Sequence, residues 1–216
     1  MVTLLVILTF VVLILIDVLI FNRQPKKSYS LAGAESLQVF NLNDTILPDD
    51  FYYSKGHTWV KVENNEKVNI GLDGFVLNAL GKFNLQNFAE PGRKINKGDV
   101  IFEGAVNNVS LKFRSPVSGI VTGINKDTSV KDSNSWCLSL KPLKMNEDIT
   151  SLIPSVSAHK WIKSEFKRLK DLLIYSMEPS GLAGATMYDG GNIVEGAISY
   201  IDAKSIKDFE ELFLKV

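Results

Sequence analysis

The sequence contains few of the residues that usually carry chemistry. Among its 216 residues there is one cysteine, Cys137, and there are two histidines, His57 and His159. A single cysteine cannot form an internal disulfide, and so few thiol and imidazole groups leave no metal-ligand spacing. Glycine-rich phosphate loops and a serine elbow for nucleophilic catalysis are also absent. We therefore predict a protein that is not an enzyme and that binds neither a metal nor a cofactor, with His57 and Cys137 in structural roles.

Neither sign of charge is in excess. Lysine and arginine together number 24, and aspartate and glutamate also number 24. A nucleic-acid-binding surface usually gives a domain a positive field, so this balance predicts no nucleic-acid partner.

The first 21 residues lack charge almost entirely, since Asp17 is the only ionisable side chain between Val2 and Phe21. About 20 apolar residues in a helix are enough to cross a bilayer, so residues 1–21 are predicted to form one transmembrane helix. A cleaved signal peptide is the alternative, but it would have a basic start and a cleavage site directly after the apolar run. Asp17 is expected either to be solvated at the interface or to pair with a polar group on a partner helix.

Three basic residues follow the apolar segment, namely Arg23, Lys26 and Lys27. Membrane-proximal lysine and arginine stay on the cytoplasmic side, so residues 22–216 are predicted to lie in the cytoplasm. The expected location is therefore the inner (cytoplasmic) membrane, with a single pass. Residues 22–50 are polar and aperiodic, and they are predicted to be a linker.

Short strands separated by turns are predicted from Tyr52 onwards. Trp59–Glu63 and Val68–Gly71 alternate around Asn64–Asn65, as in a hairpin, and a short helix over Leu72–Gly81 follows. Further strands are predicted over 82–88, 99–105, 110–113, 119–124 and 135–140. Many short strands at close spacing favour a small β-barrel or sandwich.

Five segments of this region resemble a known family in identity and order. They are Tyr53–Val60 (YSKGHTWV), Gly71–Gly81 (GLDGFVLNALG), Glu90–Gly92 (EPG), Ser115–Gly119 (SPVSG) and Trp136–Pro142 (WCLSLKP). Together they resemble glycine cleavage system H proteins over residues 53–142. The resemblance implies the barrel-sandwich hybrid fold of lipoyl and biotinyl domains. It also implies a hairpin whose tip, in that family, presents a lysine that carries a lipoyl group.

The sequence departs from the family at that lysine. When the alignment is counted back from Pro116, the lipoyl position falls on Asn108 and the acidic residue three before it falls on Ala105. If Glu103 is taken as the acid instead, the lysine position falls on Val106. Neither alignment supplies a primary amine, which an amide-linked lipoyl group requires.

The pair Asn107–Asn108 suits a type I′ hairpin turn, because asparagine tolerates positive φ. We therefore predict a degenerate, non-lipoylated tip with no bound cofactor. Lys112, four residues past the tip, could replace the lysine only with a different geometry, and Lys126 and Lys131 are predicted to be ordinary solvated lysines.

A helical extension is predicted after the β domain. Over Ser157–Tyr175 an apolar face carries Ile162, Phe166, Leu169 and Leu173, and a second face carries Lys160, Lys163, Lys167 and Lys170. The basic face is either solvated or a contact with anionic lipid or a partner. A loop over 179–191 and a last helix follow, and Ser205 and Asp208 are predicted to cap that helix ahead of Phe209, Leu212 and Phe213.

These patterns predict a mainly β fold with helical additions. The predicted parts are a transmembrane helix (1–21), a linker (22–50), an H-protein-like β domain (51–143) and a C-terminal helical extension (144–216). The predicted function is a non-catalytic, membrane-anchored scaffold or accessory subunit. Its partners would be other protein subunits of a membrane-associated complex, with respiratory or redox complexes as one candidate class. A working lipoyl carrier of the glycine cleavage system is the alternative, and a barrel that binds a small ligand without covalent attachment is a third hypothesis.

Overall fold

The structure is a computed structural model that describes residues 39–40, 42, 45, 48–64, 66–125, 132–177, 187–188 and 192–216. The predicted transmembrane helix over 1–21, the basic residues Arg23, Lys26 and Lys27, and most of the predicted linker lie outside this described part. None of the helices in the described ranges is both long enough and apolar enough to span a bilayer.

The described chain folds mainly as antiparallel strands with helices added after them. The strands are β1 (Phe51–Tyr53), β2 (Thr58–Asn64), β3 (Lys67–Leu72), β4 (Leu85–Gln86), β5 (Lys94–Ile95), β6 (Val100–Val106), β7 (Val109–Arg114), β8 (Gly119–Ile124), β9 (Trp136–Pro142), β10 (Ile153–Pro154), β11 (Met187–Tyr188) and β12 (Asn192–Ile193). The helices are α1 (Gly74–Leu80), α2 (Met145–Asp148), α3 (Ser155–Met177) and α4 (Ala203–Phe213), and 3-10 turns occupy Ile149–Ser151 and Ala197–Tyr200.

Two antiparallel sheets make up the β part. The larger has seven strands in the order β10-β1-β2-β3-β9-β8-β5, and the smaller has three in the order β4-β6-β7. The predicted hairpin around Asn64 is confirmed as β2–β3, in which Val60 faces Ile70 and Val62 faces Val68. The mainly β fold with helical additions that the sequence predicts is therefore confirmed for the described residues.

The core lies between these strands and the helices that cover them. Its largest fully buried side chains include Trp59, Tyr53, Phe75, Phe102 and Phe113. Trp59 stacks on Phe51 with ring centroids 4.4 Å apart, and its indole N–H donates to the carbonyl oxygens of Leu72 (2.9 Å) and Ser133 (2.7 Å). A buried indole whose N–H is satisfied both fills space and fixes the strands around it.

Helix α1 begins at Gly74, two residues after the predicted start at Leu72, and it stops at Gly81 as predicted. The side chain of Asp73 accepts a hydrogen bond from the backbone N–H of Val76 (3.0 Å), which satisfies one of the free donors of the first turn. Gly81 ends the helix with φ of 70°, a conformation that glycine adopts without strain. The strand predicted over 82–88 is much shorter, since only Leu85–Gln86 pair with β6.

Helix α3 confirms the predicted helix and extends it by two residues at each end, to Ser155–Met177. Ile162, Leu169 and Leu173 are buried and Phe166 is half-buried, so the predicted apolar face does meet the core.

The predicted capping box of the last helix is wrong. Helix α4 starts at Ala203, and its N-cap is Asp202, whose carboxylate accepts from the backbone N–H of Ser205 at 2.9 Å. Ser205 is therefore the third residue of the helix and receives the cap from Asp202. The apolar face is also narrower than predicted, since Phe209 and Phe213 are buried but Leu212 is 51% exposed.

Residues 144–216 pack against the β part, as far as the structure describes them. Strand β10 pairs with β1, α3 contacts β1, and α4 contacts β7. Within the predicted loop over 179–191, Met187–Tyr188 form β11 and pair with β12, and the remaining residues of that loop lie outside the described ranges.

Candidate functional site

The hairpin β6–β7 contains the position to which the H-protein resemblance assigns the lipoyl lysine. Val106 faces Val109 across the two strands, so Asn107 and Asn108 are the two central residues of the turn. Their φ angles are 48° and 63°. Positive φ at both central positions is what a type I′ turn requires, so the predicted turn is confirmed. Both asparagine side chains are exposed.

This tip offers no primary amine of its own. Asn108 ends in a carboxamide, which is not a nucleophile for amide formation, and Val106 is buried. Lys112 lies on β7 opposite Glu103, and its backbone N–H donates to the Glu210 carboxylate at 3.0 Å. At about 3.3 Å per residue, four residues of strand separate it from the tip by roughly 13 Å. Lys126 and Lys131 lie outside the described residues.

The C-terminal extension holds this hairpin by three polar contacts. The Asn107 side chain donates to the carbonyl oxygen of Ser199, the Lys207 ammonium donates to the carbonyl oxygen of Ser110, and Glu210 accepts from Lys112. We call these contacts the tip clamp. Its partners lie about 90 residues or more apart in the sequence, from Asn107 to Ser199 and from Lys112 to Glu210. The tip of this hairpin is therefore bound to the protein's own extension.

The extension approaches α1 closely beside the clamp. The backbone N–H of Gly196 donates to the carbonyl oxygen of Asn78 at 2.7 Å. A Cβ atom built on Gly81 would lie 2.9 Å from the Cα of Gly196, so a side chain at Gly81 would push the two segments apart. This backbone contact fixes the 3-10 turn that carries Ser199.

Replacing Asn107 with alanine tests the clamp directly. We expect the free energy of unfolding to fall by about 1 kcal/mol, the usual net contribution of one hydrogen bond. Amide exchange at the hairpin and at Ser199 should also become faster, because the tip and the extension lose their direct contact. Urea denaturation and hydrogen exchange measure the two effects.

Asn108→Ala is the matched control, because Asn108 has the same positive φ in the same turn but makes no side-chain hydrogen bond with the described residues. Equal effects of the two substitutions on stability and exchange would mean that backbone strain, and not the clamp, is being measured.

A second polar cluster joins the β part to α3. His57 is fully buried, and its Nδ1–H donates to the Asp73 carboxylate at 2.7 Å. Its Nε2 lies 3.9 Å from the carboxylate of Glu165, which also pairs with Arg168 at 2.6 Å. The imidazole ring stacks on Phe75, with centroids 4.3 Å apart, and on Trp161, with centroids 4.9 Å apart.

The charges in this cluster depend on one another. Burial by itself disfavours a charged imidazole, but the neighbouring carboxylates of Asp73 and Glu165 outweigh burial, and the pKa of His57 is raised above 6.5. Burial likewise opposes ionisation of Glu165, but its contacts with His57 and Arg168 outweigh it, and the pKa of Glu165 is lowered below 4.5. The arrangement stabilises an imidazolium between two carboxylates, which is a structural ion network shielded from solvent.

The sequence predicts the place of His57 but not its partners. His57 lies in the turn between β1 and β2, as predicted, with φ of 58°. Glu165 stands among lysines and polar residues in the sequence of α3 and gives no sign of burial, yet it is only 5% exposed. Glu165 lies three residues after Ile162 and four before Leu169, on the inner face of the helix, and this spacing could have predicted its burial.

The other predicted residues are placed as follows. Cys137 is buried in β9, and burial raises the pKa of its thiol to about 12, so it is a core residue as predicted. Lys160, Lys163 and Lys167 are exposed on α3, and Lys170 is half-buried. In the described ranges no group of three histidine, cysteine or acidic side chains is arranged to hold a metal ion.

Comparison with known proteins places these features in a family. The family model described as "Glycine cleavage H-protein" matches residues 51–165. The chain is 28% identical over 125 residues to a probable glycine cleavage system H protein of Thermococcus gammatolerans, a match that covers 54% of this chain and 92% of that one. It is 30% identical over 113 residues to the glycine cleavage system H protein of Leptospira biflexa, a match that covers 48% of this chain and 85% of that one.

A crystal structure of the glycine cleavage system H protein from Mycobacterium marinum is also similar, with a TM-score of 0.47 and 19% identity over 54% of this chain and 98% of that one. The family match covers more than half of the chain and includes β1 to β10, the α1 helix and the hairpin described above. The chain belongs to the glycine cleavage H-protein family.

Proposed function

We propose that this chain is a non-catalytic member of the family that has lost its lipoyl group and holds other proteins at a membrane. In this proposal it is a scaffold or accessory subunit of a membrane-associated complex. The observation that carries the proposal is the hairpin tip, where Asn107 and Asn108 replace any lysine and Asn107 is bound to Ser199. A swinging carrier needs a tip that is both reactive and free to visit its partners. Here the tip lacks the amine and is tied to the extension.

The anchor and the location belong to the same proposal. Residues 1–21 would cross the inner (cytoplasmic) membrane once, and Arg23, Lys26 and Lys27 would keep the folded part in the cytoplasm. A single span holds a domain close to the bilayer, which raises its effective concentration near other membrane subunits. Respiratory and redox complexes are the class to search first.

The second candidate function is that of a lipoyl carrier, and the names of the relatives favour it. The matched proteins of Thermococcus gammatolerans and Leptospira biflexa are named as glycine cleavage system H proteins. For this chain to act as they are named, a lysine other than the tip residue would have to carry the group. Among the described residues, Lys112 lies on the hairpin and Lys207 donates a hydrogen bond to it.

Intact mass separates the two functions. Protein purified from its native membrane should have the mass of the unmodified chain, apart from any processing of its start. A lipoylated H protein purified from the same cells by the same procedure shows that the lipoylating enzymes are active. A lipoyl or octanoyl addition that peptide mapping assigns to any lysine of this chain would rule out the scaffold proposal in favour of the carrier.

Extraction in mild detergent tests the partner and the anchor. We expect the full chain to co-purify with other subunits and to run on size analysis as part of a larger complex. A lone monomer at every detergent concentration would contradict the proposed partner. Removal of residues 1–21 should let a high-salt wash move the chain to the soluble fraction, and a truncated chain that resists this wash would contradict the anchor as the main attachment.

A further inference from the structure

One face of α3 carries a regular stripe of six residues, five of which are exposed and one of which, Lys170, is half-buried. Spaced four, three, four, three and four residues apart, its members lie on one line along the helix. They are Val156, Lys160, Lys163, Lys167, Lys170 and Ile174. We call them the outer stripe. At 1.5 Å per residue it is roughly 27 Å long.

The lysines of the outer stripe have no carboxylate partner among the described residues, whereas five lysines elsewhere do. Lys61, Lys141, Lys144, Lys207 and Lys215 each form an ion pair with a nearby carboxylate. Lys160, Lys163, Lys167 and Lys170 form none with the described residues. The acidic residues of α3 do not neutralise them, since Glu165 is buried against His57 and only Asp171 is exposed beside the stripe.

Apolar side chains are exposed at both ends of the stripe. Val156 is 85% exposed at the first turn, and Ile174 is 43% exposed at the other end. Tyr175, next to Ile174, is 74% exposed. Exposed aliphatic residues with a tyrosine beside them are disfavoured in water but are suited to the boundary between lipid head groups and acyl chains.

We propose that the outer stripe lies flat against an anionic lipid surface. Its four lysines would pair with lipid phosphates, while Val156, Ile174 and Tyr175 would enter the head-group boundary at its two ends. A row of cations between two apolar ends fits a planar anionic surface better than a concave protein pocket. The inference extends the proposed function, because a membrane anchor would bring α3 to the bilayer, but the stripe could bind lipid without that anchor.

The opposite face of α3 explains why the contact would also orient the β part. Ile162, Glu165 and Leu169 are buried against the rest of the protein, and Glu165 reaches His57 between β1 and β2. A helix that binds lipid on one side and the core on the other would fix the angle of the β sheets to the membrane.

The test uses the full chain with two kinds of vesicle, phosphatidylcholine alone and phosphatidylcholine mixed with phosphatidylglycerol. Flotation with the neutral vesicles shows whether the anchor attaches the chain to a bilayer. Acetylation of the lysine amines, read by peptide mass spectrometry, shows whether the lipid surface covers the outer stripe. Attraction to an anionic surface favours the bound state about fivefold for each lysine, so acetylation of the four stripe lysines should fall about fivefold on the mixed vesicles and recover in high salt.

Two four-lysine variants give the control. The first changes the stripe, Lys160→Gln, Lys163→Gln, Lys167→Gln and Lys170→Gln. The second changes four exposed lysines elsewhere, Lys55→Gln, Lys82→Gln, Lys94→Gln and Lys204→Gln, and so removes the same net charge. Acetylation of Lys141 is the internal reference in both variants. Exchange of the α3 backbone amides should slow on mixed vesicles in the wild type and in the second variant, but not in the first.

The outcomes separate the lipid contact from the anchor. Protection of the stripe on mixed vesicles only, retained in the second variant, supports the inference even if the chain fails to float with neutral vesicles. Equal acetylation on both vesicles overturns it, even if the chain floats with both. Protection that instead requires a co-purified subunit in neutral vesicles would assign the stripe to a protein partner and would also overturn it.

Discussion

Replacing Asp73 with alanine should lower the free energy of unfolding by about 4 kcal/mol or more. Removal of one partner from a buried ion pair usually lowers stability by about 3–5 kcal/mol, because the remaining charge stays buried without compensation. Here Asp73 accepts from His57 at 2.7 Å, and both side chains are shielded from water. Its other oxygen caps α1 through the Val76 N–H, a contact that contributes about 1 kcal/mol more. Urea denaturation measures the loss.

Asp73→Asn separates the two contributions. The asparagine keeps an oxygen for the Val76 cap and nearly the same shape, but it removes the negative charge that faces His57. We expect this variant to lose most of the stability that alanine loses, since the ion pair is the larger part. A loss near 1 kcal/mol or less for Asp73→Ala would contradict the ion network.

The same network predicts how stability depends on pH. The pKa of His57 is raised in the folded state, so its contribution is complete below pH 6.5 and is lost as pH rises through the raised pKa. The pKa of Glu165 is lowered, so its contribution is complete above pH 4.5 and is lost as pH falls through the lowered pKa. Stability should therefore be greatest between these two values. In His57→Gln the decline on the alkaline side should disappear, and a wild-type profile that is flat from about pH 6 to 9 would contradict the assignment.

The parts of the fold that local chemistry dictates could be predicted from the sequence. Two adjacent asparagines favour positive φ, and the structure has the tip turn at that pair. Alternating valines and isoleucines predicted β2 and β3, and a four-three-four apolar spacing predicted α3. In each case the residues that form the pattern are the same residues that form the turn, strand or helix, so no distant contact was needed to predict it.

Features that depend on distant partners could not be predicted. Strands β1, β5 and β10 have two or three residues each, too few for a periodic pattern, and they exist because another strand lies beside them. Asp202 rather than Ser205 caps α4, because both residue types can cap and only packing of the helix decides where it starts. The burial of Glu165 likewise depends on His57, which is 108 residues away in the sequence.

The two polar clusters tie the extension to the β part at separate points. The tip clamp is largely solvated, so each of its hydrogen bonds adds little stability but sets where the hairpin tip points. The His57 network is buried, so it contributes more and fixes α3 against β1 and β2. The extension therefore restrains both the tip of the β6–β7 hairpin and the position of α3 relative to β1 and β2.

Gly71→Ala should lower the free energy of unfolding by about 3 kcal/mol, the upper part of the range for overpacked cores. A Cβ atom at Gly71 would lie 2.2 Å from Cζ2 of Trp59 and 2.6 Å from the carbonyl oxygen of Ser135. Neither neighbour can move away easily. Trp59 is held by hydrogen bonds from its indole N–H to Leu72 and Ser133 and by its stacking on Phe51, and the Ser135 oxygen belongs to the backbone.

Gly123→Ala is the matched control for this substitution. Gly123 also lies in a strand, β8, but a Cβ atom there would have no neighbour within 4 Å. Since alanine restricts the unfolded chain more than glycine does, we expect the control to leave stability unchanged or to raise it by about 0.4–1 kcal/mol. Urea denaturation of both variants, with tryptophan fluorescence as the signal, compares them under the same conditions. Equal stabilities would mean that Trp59 can repack, and that Gly71 does not set how closely β3 approaches the indole ring.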